Sequence, residues 1–267
     1  MSVSGAKDYV ATVEGETGAP VLLLAGGASS SHGFFPGLAE ALPGNRVISL
    51  DRPGTGRAVR LGKASFATGS AAAADAIRRL GAGPAVVVGQ SLGGAQAVHF
   101  AVEHPDLVAG LVLVDPTPLD APGQLRLAKR LLGTMALPGR LPVVGAKLDR
   151  LLFKAMGGKV APEAKDAFEV MTTSATLHAT VRALEETLEE TAALVGRVTP
   201  LGVPAVILTA DRKADHDVRL SHERLATALR ARVVAPAGAI HADHLRDPAG
   251  VNALVLQVVV EASARQG

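Results

Sequence analysis

A serine set between glycines at the end of an apolar run limits the folds open to this chain. Val86–Val88 is apolar and β-branched, and Gly89–Gly93 then reads Gly-Gln-Ser-Leu-Gly before a helical pattern begins at Leu92. This order of strand, tight turn and helix strains the serine backbone and exposes its hydroxyl. A Cβ on either flanking glycine would collide where strand and helix approach each other. The motif predicts a nucleophilic Ser91, with the Leu92 N–H at a helix N-terminus where it can stabilise an oxyanion.

The composition indicates one large globular domain, or a core that carries an inserted subdomain. Of 267 residues, 48% are apolar and 19% are charged, which is enough apolar material for a substantial core. The net charge is +2 and the only aromatic residues are six Phe and one Tyr, so nucleic-acid binding is not expected. The absence of cysteine excludes disulfides, thiolate zinc sites and a cysteine nucleophile.

No stretch of the sequence predicts a membrane span or a leader. The apolar runs stay shorter than the about 18 residues that a membrane-spanning helix needs. Met1–Val10 contains no apolar run of the kind found in signal peptides. We therefore expect a cytoplasmic protein without a membrane span, as a monomer or a homodimer.

Apolar runs alternate with helical patterns over most of the chain. This alternation predicts an α/β fold whose mostly parallel sheet is flanked by helices, and ligands of such sheets bind outside the carboxyl ends of the strands. The predicted strands are Tyr9–Val13, Pro20–Ala25, Arg46–Leu50, the run before Gly89, Gly110–Val114, Val203–Thr209 and Arg232–Ala235. The predicted helices of this region are His32–Leu42, Ser70–Leu80, Leu92–Glu103, Ser221–Arg230 and Pro248–Glu261.

The alternation stops between Leu119 and Arg197, which predicts a helical cap at 119–198 inserted into a core of 1–118 and 199–267. The acidic pairs Glu185–Glu186 and Glu189–Glu190 are interpreted as a solvated helix face. The predicted cap helices are Leu125–Leu132, Leu148–Met156 and Pro162–Leu194, the last broken near Thr172–Ser174. Seven apolar residues of the cap could line a pocket beneath it, but for each one taken singly a place in the cap's own core is favoured. They are Met135, Leu137, Leu151, Phe153, Met156, Phe168 and Met171.

A serine nucleophile needs a general base, an acid that orients the base, and donors for the oxyanion. His241 is the preferred base, because it follows a strand and a small-residue turn that can deliver it to the sheet edge occupied by Ser91. His244 is its nearest competitor. His241 and His244 are also candidate metal ligands, but no other histidine or acidic cluster lies at ligand spacing in the sequence, so no metal is expected.

Four segments together resemble the α/β-hydrolase superfamily, over nearly the whole chain. Ala25–His32 resembles the family's oxyanion loop, Asp51–Arg57 its Asp-x-x-Gly-x-Gly segment, Gly89–Gly93 its nucleophile elbow, and His241 with Asp247-Pro248 its terminal histidine block. The resemblance implies an α/β-hydrolase fold whose inserted helices form a lid. It also implies that the backbone N–H groups of Gly27 and Leu92 form the oxyanion hole.

The sequence departs from this family at two positions. Ala25 stands where members usually carry a histidine, and Lys213 stands where the acid usually follows a later strand. Some members place the acid after the strand that follows the elbow helix, which here is Asp115. We therefore predict Asp115 as the acid, with Asp215 and Asp211 as alternatives.

The predicted function is that of a serine hydrolase acting on a small or medium carboxylic ester through an acyl-enzyme. A thioester, an amide or a carbon–carbon bond would use the same groups. The rival from another class is a non-catalytic ligand-binding protein on the same scaffold, which the departures at Ala25 and Lys213 favour. No nucleotide cofactor is expected, because the glycine-rich segments form neither a dinucleotide fingerprint nor a P-loop.

Overall fold

A computed structural model of the chain describes residues 2–3, 8–81, 83–136 and 160–266. Over these ranges the strands are β1 (Ser2–Val3), β2 (Val10–Glu14), β3 (Pro20–Leu24), β4 (Arg46–Asp51), β5 (Ala85–Gln90), β6 (Val108–Val114), β7 (Ala205–Leu208) and β8 (Arg232–Val234). They form one sheet in the order β1-β2-β4-β3-β5-β6-β7-β8. All neighbouring strands from β4 to β8 in this order pair in parallel. The β1–β2 and β2–β4 pairs are antiparallel.

Helices cover both faces of the sheet, and the predicted α/β fold with a mostly parallel sheet is confirmed. The described helices are α1 (Leu38–Ala41), α2 (Phe66–Arg79), α3 (Leu92–Glu103), α4 (Pro122–Ala136), α5 (Lys165–Thr172), α6 (Ser174–Glu186), α7 (Leu188–Ala193), α8 (Asp217–Leu229), α9 (Asp243–Arg246) and α10 (Pro248–Gln266). Within the same ranges, no helix is both long and apolar enough to cross a membrane.

The central strands are buried on both faces, as their continuous apolar sequences require. Alternate residues of β5 therefore enter different cores. Val87 packs with residues of α2 and α3 on one face, and Val86 and Val88 pack with α1 and α10 on the other.

The register of three parallel strands brings their ends to one edge. Gln90 of β5 pairs with Val114 of β6, and Val114 pairs with Leu208 of β7. The next residues along the chain, Ser91 and Asp115, therefore leave the sheet side by side.

The helix predicted over His32–Leu42 is mostly wrong, because only α1 is helical there. The residues before it form turns. Gly33 and Gly37 have φ of 73° and 70°, in the left-handed region, which interrupts a right-handed helix.

The described part of the predicted cap is helical. The expected break near Thr172–Ser174 is present between α5 and α6, and a second break follows at Thr187. The predicted helix Leu148–Met156 lies outside the described residues. The boundaries of the cap at 119–198 remain a prediction.

The interpretation of the acidic pairs as a solvated face is wrong for half of them. Glu190 accepts hydrogen bonds from the N–H groups of Phe66 (2.8 Å) and Ala67 (3.1 Å), and Glu186 accepts one from the N–H of Ala64 (2.8 Å). These carboxylates therefore satisfy donors at the start of α2, where a negative charge is also favoured by the helix dipole. The contact ties α6 and α7 to the sheet-flanking helix α2.

We expect Glu190→Ala to lower the free energy of unfolding by about 1–2 kcal/mol, because it leaves donors of α2 without a partner. Chemical denaturation measures the change. Glu189→Ala is the matched control, since Glu189 is exposed and lies one residue away. Equal stability of the two variants would contradict the role given to Glu190.

Candidate active site

Ser91 lies in a tight turn between β5 and α3. Its backbone has φ 50° and ψ −119°, an unusual conformation for a residue other than glycine. The turn brings the chain so close to itself that a Cβ on Gly89 would lie 2.3 Å from the Gly93 carbonyl oxygen. Its N–H donates to the Val114 carbonyl at 3.1 Å, which continues the pairing of β5 with β6. This is the strand–turn–helix geometry that the sequence predicted.

His241 follows β8 and lies beside Ser91. Its Nε2 is 3.0 Å from Ser91 Oγ, and its Nδ1 is 2.6 Å from Asp115 Oδ2. With Nδ1–H donating to the carboxylate, Nε2 is free to accept the serine proton. Gln90 holds the histidine backbone by donating from Nε2 to the His241 carbonyl at 2.8 Å.

Asp115 completes this line of contacts from the end of β6. Its side chain is 1% exposed. Its Oδ1 accepts from the Ala210 N–H at 2.8 Å and from Arg212 Nη1 at 2.5 Å, and its Oδ2 accepts from Arg212 Nη2 at 2.7 Å. Burial by itself would raise the pKa of Asp115, but the hydrogen bonds and charges of Arg212 and His241 outweigh it and hold the pKa well below its usual range. The carboxylate is therefore ionised at neutral pH.

The two alternative acids lie elsewhere. Asp211 is exposed, and its Oδ2 accepts from the Gly238 N–H at 2.8 Å, which supports the turn before His241. Asp215 is exposed, and the His241 ring nitrogens meet Asp115 and Ser91 instead. Lys213 is also exposed. The structure thus brings Ser91 and His241 together with Asp115 and with neither alternative.

His244, the competing histidine, is buried away from the serine. Its ring stacks on Phe34 with centroids 4.5 Å apart, and neither ring nitrogen has a hydrogen-bond partner among the described residues. Burial lowers the pKa of His244 to about 3. It is therefore an uncharged part of the core.

We expect His244 to make the protein less stable in mild acid. The pKa of His244 is lower in the folded than in the unfolded protein, so protonation of this residue favours unfolding. Its effect on the free energy of unfolding is absent above about pH 6.5. As the pH falls from there towards 3, the free energy of unfolding decreases by up to about 1.4 kcal/mol per pH unit. His244→Phe removes this dependence while keeping an aromatic ring against Phe34. The free energy of unfolding measured between pH 4 and 6.5 should then have a smaller slope, whereas the exposed His32→Phe control should keep the wild-type slope.

The predicted oxyanion loop is held in place from two sides. Arg52, which is buried, donates to the carbonyl groups of Ala25 and Gly27 at 3.2 Å each. Burial lowers the pKa of Arg52 to about 10, against the opposite effect of Asp51, so the guanidinium stays charged at neutral pH. Ser31 Oγ accepts from the Ala25 N–H at 2.9 Å. Arg52 thus supports the loop that lacks the family's histidine.

The cap helix α6 supports the same loop. Thr180 Oγ1 accepts from the Ala28 N–H at 3.0 Å. Gly27 has φ of 54°, in the left-handed region, and a Cβ there would lie 2.5 Å from the same hydroxyl. Leu92 begins α3, so its N–H has no partner within the helix. Gly27 and Leu92 line one cavity together with Ser91.

Two apolar cavities meet beside Ser91, with volumes of about 520 and 380 Å³. Of the suggested pocket residues, Met135, Phe168 and Met171 line the larger cavity. Leu137, Leu151, Phe153 and Met156 lie outside the described residues. The residues that line both cavities are Gly27, Ser91, Leu132, Met135, Thr180 and His241.

Sequence reasoning missed four of the side chains that support the site: Gln90, Arg52, Arg212 and Thr180. A signal existed only for Arg212, which precedes the basic residue found at the family's acid position. As for metals, the histidines and acidic residues within the described ranges form no group of three that could hold an ion.

Comparison with known sequences places this geometry in a family. Residues 19–244 match the family described as alpha/beta hydrolase fold. The chain belongs to the α/β-hydrolase family. The predicted resemblance is therefore confirmed.

The chain is similar to two curated proteins with esterase names. It is 36% identical to Esterase Rv0045c of Mycobacterium tuberculosis over 122 residues. This aligned region covers 44% of this chain and 39% of that protein. The chain thus spans about two fifths of the first curated relatives it matches. It is 29% identical to the pimeloyl-acyl-carrier-protein methyl ester esterase of Chromobacterium violaceum, over 77% of this chain and 90% of that one.

Solved structures share the fold of this chain. The structure of Rv0554 from Mycobacterium tuberculosis superimposes with a TM-score of 0.74, over 97% of this chain and 98% of that one. The sequence identity is 22%. This likeness concerns the fold alone.

Proposed function

We propose that this α/β-hydrolase is a serine hydrolase that cleaves small or medium carboxylic esters through an acyl-enzyme. The observation that carries the proposal is the hydrogen-bonded line from Ser91 through His241 to Asp115. A non-catalytic binding protein needs neither a strained serine nor a buried ionised acid behind a histidine. The esterase names of two relatives agree with ester cleavage.

The geometry supports a two-step mechanism. Ser91 Oγ attacks the ester carbonyl carbon while His241 Nε2 takes its proton, and Asp115 stabilises the resulting imidazolium. The N–H groups of Gly27 and Leu92 stabilise the tetrahedral oxyanion. When the intermediate collapses, His241 gives the proton to the leaving alkoxide and an acyl-serine remains. Water then attacks the acyl group with His241 again as base, which releases the acid and the free serine.

The two cavities suggest how an ester lies in this site. Both open on Ser91, so one accommodates the acyl chain and the other the alcohol part. The side chains that line each cavity are mostly apolar, and the one described cation in their lining, Arg212, is paired with Asp115. We therefore expect uncharged esters with apolar groups on both sides of the carbonyl.

We expect a fluorophosphonate probe to label the wild-type protein at Ser91, because only an activated serine attacks it readily. Peptide mapping of the purified protein identifies the site, and hydrolysis of p-nitrophenyl butyrate provides a second readout. Ser91→Ala should abolish both signals. Ser29→Ala, a change of another serine in the cavity wall, should leave labelling at Ser91 in place. A folded wild-type protein that gives neither labelling nor hydrolysis would favour the binding-protein alternative.

We expect Asp115→Asn to lower kcat by roughly 10³- to 10⁴-fold, because a neutral amide neither orients the histidine nor stabilises its charged form. Steady-state kinetics on p-nitrophenyl butyrate measures the loss, and thermal unfolding shows whether the variant is folded. Asp211→Asn and Asp215→Asn are the controls and should keep most of the activity. A larger loss in either control would move the acid role to that residue.

A further inference from the structure

Arg212 makes the most extensive contact with the buried acid of the site. It lies in the loop after β7, and its guanidinium grips the Asp115 carboxylate with one bond to each oxygen, at 2.5 and 2.7 Å. Oδ2 also meets His241 Nδ1 at 2.6 Å. The same carboxylate oxygen therefore connects the arginine to the histidine.

We propose that Arg212 is a positioning residue that fixes the plane of the Asp115 carboxylate and so aims His241 at Ser91. This inference rests on the proposed function, because it concerns the orientation of the proposed base. Arginine suits the role, since its planar fork matches both oxygens of a carboxylate and prevents rotation about the bond that carries it.

The other contacts of Asp115 do not fix that plane. The Ala210 N–H binds only Oδ1, and His241 binds only Oδ2 through a ring that is itself 56% exposed. His222 lies 3.8 Å from Oδ1, but its ring nitrogens are engaged with Thr209 Oγ1 at 2.9 Å and the Pro116 carbonyl at 2.8 Å. Without the arginine, the Ala210 N–H still holds Oδ1, but Oδ2 meets only the ring of His241, which is the group that the carboxylate has to orient.

The position of Arg212 allows a direct test by chemical rescue. Its side chain is 19% exposed, and it lines the smaller cavity beside Ser91. Truncation to alanine leaves space that opens on this cavity, so a guanidinium ion from solution has a route to Asp115. A residue that acts only through folding offers no such rescue.

The experiment compares wild type, Arg212→Ala and Arg212→Lys on p-nitrophenyl butyrate and with the fluorophosphonate probe. We expect Arg212→Ala to lower kcat roughly 10- to 100-fold with KM changed less than about twofold, because misorientation affects the reacting groups and not the binding cavity. Probe labelling should slow in parallel. Arg212→Lys should recover only part of kcat, since an ammonium restores the charge without the fork. Millimolar guanidinium chloride should restore kcat in Arg212→Ala, whereas equal sodium chloride should not.

Arg224→Ala is the matched control, since Arg224 forms an exposed ion pair with Asp120 away from the serine. It should keep wild-type kcat and show no response to guanidinium. The inference is overturned if Arg212→Ala keeps wild-type kcat, if Arg212→Lys is fully active, or if guanidinium fails to restore a folded Arg212→Ala. Should Arg212→Ala fail to fold, Arg212→Lys alone decides through its kcat and KM. Failure of the proposed function is a different result, in which wild type itself neither labels nor hydrolyses.

Discussion

The parallel pairing of β5, β6 and β7 is the constraint on which the site depends. Because Gln90, Val114 and Leu208 are in register, the chain leaves the three strands at one edge, and each following residue lies beside the next. Ser91 and Asp115 both have positive φ, at 50° and 42°, so both strands end in an abrupt turn. Such backbone strain persists only where the surrounding structure holds it, and here the buried sheet does so.

The charges near this edge are arranged in pairs. Asp115 is paired with the Arg212 guanidinium and accepts a hydrogen bond from His241, and Asp51 is paired with Arg57 and accepts hydrogen bonds from the predicted oxyanion loop. A buried charge is tolerated only with such partners, because burial removes the water that would otherwise solvate the charge. Both carboxylates lie where a strand ends and a functional loop begins, so the same ion pairs stabilise the fold and order the site.

The sequence predicted the sheet and the elbow, and it selected Ser91, His241 and Asp115, which the structure places within hydrogen-bond distance, because local patterns mark such positions. Apolar runs define strands, small residues define turns, and a polar residue at a strand end points to the sheet edge. The supports of the site were not predictable in this way. Arg212 meets a residue 97 positions away, and Thr180 one 152 positions away. The helix expected over His32–Leu42 failed for a local reason, since left-handed glycines override an apolar pattern.

The bond between Thr180 and the Ala28 N–H has a thermodynamic consequence. It joins α6, which covers the cavities, to the loop that carries Gly27. A displacement of α6 away from this loop would break this bond and leave the loop supported by Arg52 and Ser31. A ligand that binds more tightly while α6 lies against the loop would therefore also stabilise this bond, and the bond would favour that ligand by the same free energy.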